Sequence, residues 1–260
     1  MSKKNGKKKS GKVWLIILGI LAVIVLAITI NSVNNVRAMN ETIDVVLEEI
    51  SQCGELTEIT NDYNEIKIYG VLKFKVKQYD QENVGNVCVM TVNMFGLMQM
   101  GTVVVTPYEK DAPLLSTDFM YMFATRKYIM EMDNTMVNAD ETYQKKVAEG
   151  NALLDTYSSI DNFPADPSWL DEVQDVLMRK QDTHTATLND MVAEMTAFYA
   201  RWVNETPALD AEGIAAKKAA VQGYSNNLID LGGLSTDVFK GALGVDTTRD
   251  FFDSVFFGTK

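Results

Sequence analysis

The chain is short of the residue types that most metal and redox sites need. Its 260 residues include one histidine, His184, and two cysteines, Cys53 and Cys88, which form no C-x-x-C pair. Zinc and haem sites of the usual kinds rely on these ligand types, and zinc needs several of them at characteristic spacings. The sequence therefore predicts no zinc or haem site of the usual kind, while a disulfide between the two cysteines stays open.

Catalytic signatures and linkers are also missing. The sequence contains no G-x-S-x-G motif, no glycine-rich phosphate loop and no Ser/His/Asp arrangement, so nothing supports a hydrolase or a nucleotide-binding protein. There are five prolines and no Pro/Gly-rich linker or internal repeat. We therefore expect one domain after the N-terminal segment.

The N-terminal 30 residues differ sharply from the rest. Residues 1–12 contain six lysines and no acid, and residues 13–30 carry no charge at all. Such a run is long enough for a slightly short transmembrane helix, and the lysines should stay on the cytoplasmic side. We predict a basic cytoplasmic tail (1–12), a single-pass cell-membrane anchor (13–30) and an extracytoplasmic domain (31–260). A cleaved signal peptide is the alternative, although no A-x-A-like site follows the apolar run.

The predicted domain is acidic. It has 18 basic and 35 acidic side chains, a net charge of −17. This charge argues against nucleic acid as a partner, and against a second docking surface on anionic lipid.

The pattern of apolar residues changes twice along the domain. Residues 35–53 have helical spacing, and residues 65–136 alternate with the period of two that is typical of strands. From Asn138 onward the pattern indicates helices, including a long helix or helix pair over residues 168–203. We predict an α+β protein, a three-layer α/β/α sandwich around a central antiparallel sheet of about five or six strands, preceded by one transmembrane helix.

Asp118 is the candidate catalytic residue. It lies in the apolar segment "LLSTDFMYMF", on the same strand face as Met120 and Met122. A carboxyl group on an apolar face should have a raised pKa, so it could hold a proton near neutral pH and deliver it to a bound substrate. The alternative is a structural role, in which Asp118 caps the preceding turn or pairs with a helix residue.

Two segments resemble the ferredoxin-dependent bilin reductases and red chlorophyll catabolite reductase. The first is "APLLSTDFMYMFATRKYIMEMD", with Pro113, Asp118 and Asp133 at the positions of the family's proline, strand-opening aspartate and strand-ending aspartate. The second is the C-terminal segment from Gln222, which fits the family's frame at Tyr224, Val238, Leu243, Gly244, Phe251, Val255 and Phe256. The resemblance covers roughly residues 35–260.

The resemblance implies a pocket between the sheet and the C-terminal helices that holds an open-chain tetrapyrrole. Electrons would come singly from an external donor such as a ferredoxin, and protons from pocket side chains, with no intrinsic cofactor such as a metal or flavin. Asp118 would be the proton donor, with Met120 and Met122 lining the pocket. Further predicted substrate-binding residues are Asn93, Tyr224, Asn227 and Asp230.

The chain departs from the family's pattern at three points. No histidine precedes Asp118 on the neighbouring strand, Asn93 stands near the family's upstream glutamate, and Gly233 stands where many members have a helix aspartate, with Asp230 one turn away. The acidic domain would also repel an acidic ferredoxin. We therefore hold two hypotheses: a membrane-anchored domain that binds and reduces a linear tetrapyrrole, and a non-enzymatic extracytoplasmic ligand-binding or interaction domain of the same fold.

Overall fold

The computed structural model describes the backbone of residues 7–260 and the side chains of residues 13–233 and 236–260. Part of the predicted basic tail, residues 1–6, lies outside the described residues.

The predicted anchor and the first helix of the domain form one continuous helix, α1 (Lys7–Ile50). It ends in a 3₁₀ turn, Ser51–Cys53, followed by Gly54. The segment from Val13 is long and apolar enough to cross a membrane, and its most apolar window is not buried by the rest of the chain. Further along, Met39, Ile43, Val46 and Ile50 are buried against the domain. Among the described residues, the same helix therefore has an apolar segment that the rest of the chain leaves largely exposed and an amphipathic segment that packs on the sheet.

The centre of the domain is one antiparallel sheet of eight strands, in the order β1-β3-β4-β5-β6-β7-β8, with β2 also paired to β3. The strands are β1 (Leu56–Ile59), β2 (Glu65–Ile68), β3 (Leu72–Gln81), β4 (Gly85–Met94), β5 (Met98–Thr106), β6 (Leu114–Met122), β7 (Thr125–Asp133) and β8 (Gln174–Asp182). The alternating pattern over residues 65–136 is thus confirmed as strands β2 to β7, but the predicted number of about five or six strands was too low, because β1 and β8 lie outside that region.

Strand β8 corrects the prediction that everything after Asn138 is helical. It lies inside the predicted helix over residues 168–203 and pairs with β7 along its whole length. Val176, Met178 and Lys180 are buried, and the residues between them are half-buried, which is the period of a strand. Its Gln, Arg and Lys residues favour helices in isolation, but pairing with β7 outweighs that weak preference.

Two helical layers cover the sheet, so the three-layer prediction is confirmed. On one face lie α1, α2 (Glu141–Asp155) and α3 (Thr185–Glu205), which share a core with inward residues such as Val87 and Val103. On the other face lie α4 (Ala211–Asp230), α5 (Leu234–Leu243), α6 (Val245–Phe251) and a π-helical turn, Phe252–Phe256. This second layer packs on Cys88, Met90 and Val104.

Candidate functional site

A cavity of about 260 Å³ lies between the sheet and the C-terminal helices. One wall of the cavity is formed by side chains of β4 to β8. The opposite wall is formed by α4, the start of α5 and the C-terminal turn, by which we mean the π-helical turn Phe252–Phe256 together with Phe257. Most of the lining is apolar, including Met90, Met100, Met120, Leu228, Phe252 and Phe256. The sheet side contributes charged groups in the middle of this apolar surface, which makes the cavity a chemically distinct site.

Asp118 is one of these charged groups. Strand pairing sets it opposite Thr102 on β5 and Ile129 on β7. The Thr102 hydroxyl donates a hydrogen bond to Asp118 Oδ1. Burial raises the pKa of Asp118, and the hydrogen bond from Thr102 opposes that rise only in part. The side chain can therefore hold a proton closer to neutral pH than an exposed aspartate does.

Glu131 is a second carboxyl group in the same cavity. It pairs with Ser116 on β6, two residues from Asp118, and so faces the same side of the sheet. Burial raises the pKa of Glu131 well above its usual value, and the nearby charges of Asp133 and Asp118 raise it further. Two carboxyl groups this close in an apolar site do not readily ionise together, so at least one is favoured in its protonated form.

Arg179 of β8 lies beside these acids and also lines the cavity. Its charge lowers the pKa of Glu131 but does not outweigh burial. Arg179 Nε is buried, and no hydrogen-bond partner is found for it within the described part of the chain. The Arg179 side chain as a whole is half-buried, so it can offer its positive charge to an acceptor group of a ligand in the cavity.

Tyr224 connects the roof of the cavity to a third acid. Its hydroxyl donates a 2.8 Å hydrogen bond to Asp133 Oδ2, at the end of β7. Asp133 is fully buried, and burial raises its pKa although the hydrogen bond from Tyr224 lowers it. Tyr224 thereby holds α4 over the sheet and forms part of the lining.

The structure brings together some of the predicted site residues and not others. Asp118, Met120 and Tyr224 all line the cavity. Met122 is 45% exposed at the end of β6. Asn227 and Asp230 lie on the exposed surface of α4, where Asp230 forms a 3.0 Å ion pair with Arg249.

Asn93 lies on the opposite face of the sheet from the cavity. Its side-chain nitrogen donates a 2.9 Å hydrogen bond to Ser32 of α1, and its oxygen accepts one from the backbone N–H of Gly96. The position therefore connects the β4–β5 turn to α1, and the structure does not bring it to the candidate site.

Glu131 and Arg179 are the site residues that the sequence analysis missed. The alternation of "KYIMEMD" could have identified Glu131, because it puts this residue on the same strand face as Ile129, across from Asp118. Arg179 was missed because the residues that form β8 were predicted to be helical. Within the described residues, no group of three His, Cys, Asp or Glu side chains could hold a metal ion.

Comparison with known proteins identifies the fold. No family model matches the chain, and no curated protein does. Among solved structures, the chain is similar to selenomethionine phytochromobilin synthase from tomato, crystallised in complex with biliverdin. The match has a TM-score of 0.67 at 14% identity and covers 85% of this chain and 83% of that one. The chain therefore has the fold of a ferredoxin-dependent bilin reductase, as the two sequence segments predicted.

Proposed function

We propose that the cavity binds a linear tetrapyrrole and that the protein reduces it with electrons from an external one-electron donor. The observation that carries this proposal is the pair of carboxyl groups, Asp118 and Glu131, whose pKa values are raised in an otherwise apolar cavity. The fold supports it, because the tomato protein of the same fold was crystallised with biliverdin.

The lining suits a large, flat, conjugated molecule. Methionine and phenylalanine side chains adapt to such a surface and make favourable contacts with its π-system. Arg179 would pair with an anionic substituent of the ligand, since its side chain brings a positive charge to the lining of the cavity. At about 260 Å³ the cavity is just below the ~300–1,000 Å³ usual for ligand sites. We therefore expect the bound pigment to extend beyond the cavity or to displace α4 and the C-terminal turn slightly.

The proposed reaction balances with these two acids. Reducing one double bond of the pigment requires two electrons and two protons. The donor protein supplies the electrons one at a time, and protonated Asp118 and Glu131 supply the protons, which solvent then replaces. Each acid must be protonated before the transfer, and its raised pKa makes this possible near neutral pH.

The identity of the donor depends on which side of the membrane holds the domain. We propose that α1 anchors the protein as a single-pass protein of the cell membrane, with the lysine-rich N-terminus in the cytoplasm and the domain outside it. A cytoplasmic ferredoxin would not reach such a domain, and the net charge of −17 over residues 31–260 would repel an acidic one. A donor without strong negative charge, on the same side as the domain, fits better.

A titration with biliverdin tests the binding step. The full-length protein in detergent would be mixed with increasing pigment while the visible absorption is recorded, for the wild type, Asp118→Asn and Glu131→Gln. We expect a saturable spectral change in the wild type and a different bound spectrum in both variants, because an amide cannot protonate the pigment. The matched control is Asp190→Asn, an exposed carboxyl on α3 at the other face of the sheet.

Reduction is tested separately, by adding a chemical or photochemical one-electron donor to the complex without oxygen. Bleaching or a shift of the bound pigment that is lost in Asp118→Asn would support the reductase. Saturable binding without any reduction would favour the alternative, a non-enzymatic ligand-binding domain of the same fold. Absence of any spectral change at tens of micromolar pigment would refute both the proposed binding and the proposed reduction of a tetrapyrrole.

A further inference from the structure

Three hairpin turns lie at one end of the sheet. They are residues 69–71 between β2 and β3, residues 95–97 between β4 and β5, and residues 123–124 between β6 and β7. The strand register aligns them, because Met98 pairs with both Met94 and Met122, and Phe74 near the start of β3 pairs with Val92 near the end of β4. The three turns therefore lie side by side at one end of the sheet, which we call the turn end.

The turn end of the sheet is apolar although it is exposed. Tyr69, Phe95 and Phe123 are 66%, 67% and 53% exposed. Val71, Leu97 and Met122 are also exposed, and the three turns contain no charged residue. We call these six side chains the apolar rim: Tyr69, Val71, Phe95, Leu97, Met122 and Phe123. The connections at the other end of the sheet, residues 82–84 and 107–113, contain Glu and Asp, so the two ends differ in chemistry.

The backbone of the rim sets it apart in a second way. Tyr69, Phe95 and Phe123 have positive φ angles of 52°, 56° and 54°. Large side chains rarely adopt this left-handed conformation, and turns that require it usually have Gly, Asn or Asp there. The β3–β4 turn at the other end follows that preference, with Asn83 at φ 60°. Three exposed aromatic residues at such positions, all at one end of the sheet, are unusual for hairpin turns that face water.

The rim lies beside the end of the apolar segment of α1. Asn31 Nδ2 donates a 3.5 Å hydrogen bond to Gly96 O, and Asn93 donates to Ser32. A Cβ atom built on Gly96 would be 3.1 Å from Ile28 Cγ2. These contacts hold the β4–β5 turn at the point where the uncharged run of residues 13–30 ends.

The domain also cannot move far from that point. The helix is unbroken from the uncharged run to Met39, the first buried apolar residue of the domain core. Met39 is the ninth residue after Ile30, which corresponds to about 13.5 Å along the helix. There is no flexible linker along which the sheet could separate from the membrane surface.

We propose that the apolar rim lies in the interfacial layer of the bilayer that holds α1. The proposal rests on the membrane anchor proposed above. Aromatic side chains favour the interfacial layer, where their rings are partly dehydrated. The contact is apolar, so it differs from the anionic-lipid surface against which the net charge argues. The rim would fix the orientation of the sheet, and with it that of the cavity, relative to the membrane.

Site-specific fluorescence in nanodiscs tests this inference with the full-length protein. Single cysteines would be introduced by Phe95→Cys, Phe123→Cys, Val23→Cys and Asn83→Cys, with Cys53 and Cys88 replaced by alanine. Each would carry an environment-sensitive dye, and quenching by lipids with a nitroxide on the upper acyl chain would be compared. Val23 reports on the anchor, and Asn83 at the far end of the sheet is the matched control. Tyr69→Cys replaces either rim variant that does not fold by circular dichroism.

The inference requires quenching at Phe95 and Phe123 of about half that at Val23 or more, with little at Asn83. If Val23 is quenched and the rim labels behave like Asn83, the rim proposal is overturned while the anchor stands. If Val23 itself is not quenched, the anchor fails and the rim proposal fails with it. Equal quenching at Asn83 would also overturn the proposal, because the contact would not be confined to the rim.

Discussion

The C-terminal turn that covers the candidate cavity accepts hydrogen bonds from two buried side-chain amides, those of Asn86 and Gln78. Asn86 Nδ2 donates hydrogen bonds of 3.1 Å to Val255 O and 3.2 Å to Phe256 O, while its oxygen accepts a 2.8 Å bond from Gln78. Gly258 passes so close that a Cβ there would lie 2.5 Å from Asn86 Cβ. These carbonyls are at the end of a helical segment and have no following turn to satisfy them.

Asn86→Ala should therefore destabilise the protein and loosen the cavity. Three buried hydrogen bonds are lost at about 1 kcal/mol each, which gives a decrease in the free energy of unfolding of about 3 kcal/mol. For a domain of this size the melting temperature should fall by about 6–12 °C. Because Phe256 and Phe257 line the cavity, binding of biliverdin should weaken as well.

The assay is thermal unfolding of the full-length protein in one detergent, followed by tryptophan fluorescence. Asn138→Ala is the matched control, because Asn138 is exposed and its contact with Asp111 is made by its backbone N–H, which the substitution keeps. The loss of a single hydrogen bond should already lower the melting temperature by about 2 °C or more. A smaller difference between Asn86→Ala and the control would therefore refute the idea that the Asn86 amide stabilises the C-terminal turn.

Further predictions concern the packing and ionisation of the domain. Burial lowers the pKa of Lys217 from 10.5 to about 8. The unfolded chain then binds more protons above pH 8, so the stability of the wild type relative to Lys217→Met should rise by up to about 3 kcal/mol between pH 8 and 10.5; a constant difference in urea titrations would contradict this. A Cβ on Gly101 would lie 2.8 Å from Ile43 Cδ1, so Gly101→Val should cost about 1–3 kcal/mol in the same assay. Gly223 is an exposed residue in the middle of α4, and no atom lies near the position of a Cβ there. Gly223→Ala should therefore raise the free energy of unfolding by about 1 kcal/mol, and a decrease would contradict a helical conformation at this position. Burial raises the pKa of the Cys53 thiol to about 11, so the folded protein should react with iodoacetamide at pH 8 far more slowly than the unfolded one; equal rates would contradict its burial.

The two cysteines illustrate a question that spacing leaves open. Both are free thiols, Cys53 at the end of α1 and Cys88 in the core of the opposite sheet face. Sequence separation carries no information about which face of a sheet a residue occupies relative to a distant helix. Only the packing of α1 on the other side of the sheet excludes the disulfide.

Residue 118 could be identified from the sequence because its evidence is local. An acid within an apolar period-two segment faces a covered surface wherever that strand lies. Its partners could not be identified in the same way. Glu131 and Arg179 reach Asp118 through the register of β6, β7 and β8, and β8 follows a helix and a long connection after β7. Asn93 was predicted to bind the substrate but lies on the face of the sheet opposite the cavity. A difference of one position along a strand is enough for this, because it moves a side chain to the opposite face.

The sequence by itself determined the features that depend on neighbouring residues. These are the uncharged run of residues 13–30, the strand region that forms β2 to β7 and the acid on a covered strand face at position 118, because hydrophobic length and period need no distant partner. The tertiary structure alone decided the strand character of β8, the meeting of Asp118 with Glu131 and Arg179, and the closure of the cavity by Asn86 and the C-terminal turn. Each of these depends on pairing or packing between segments far apart in the chain, where burial and hydrogen bonding outweigh the weak preferences of single residues.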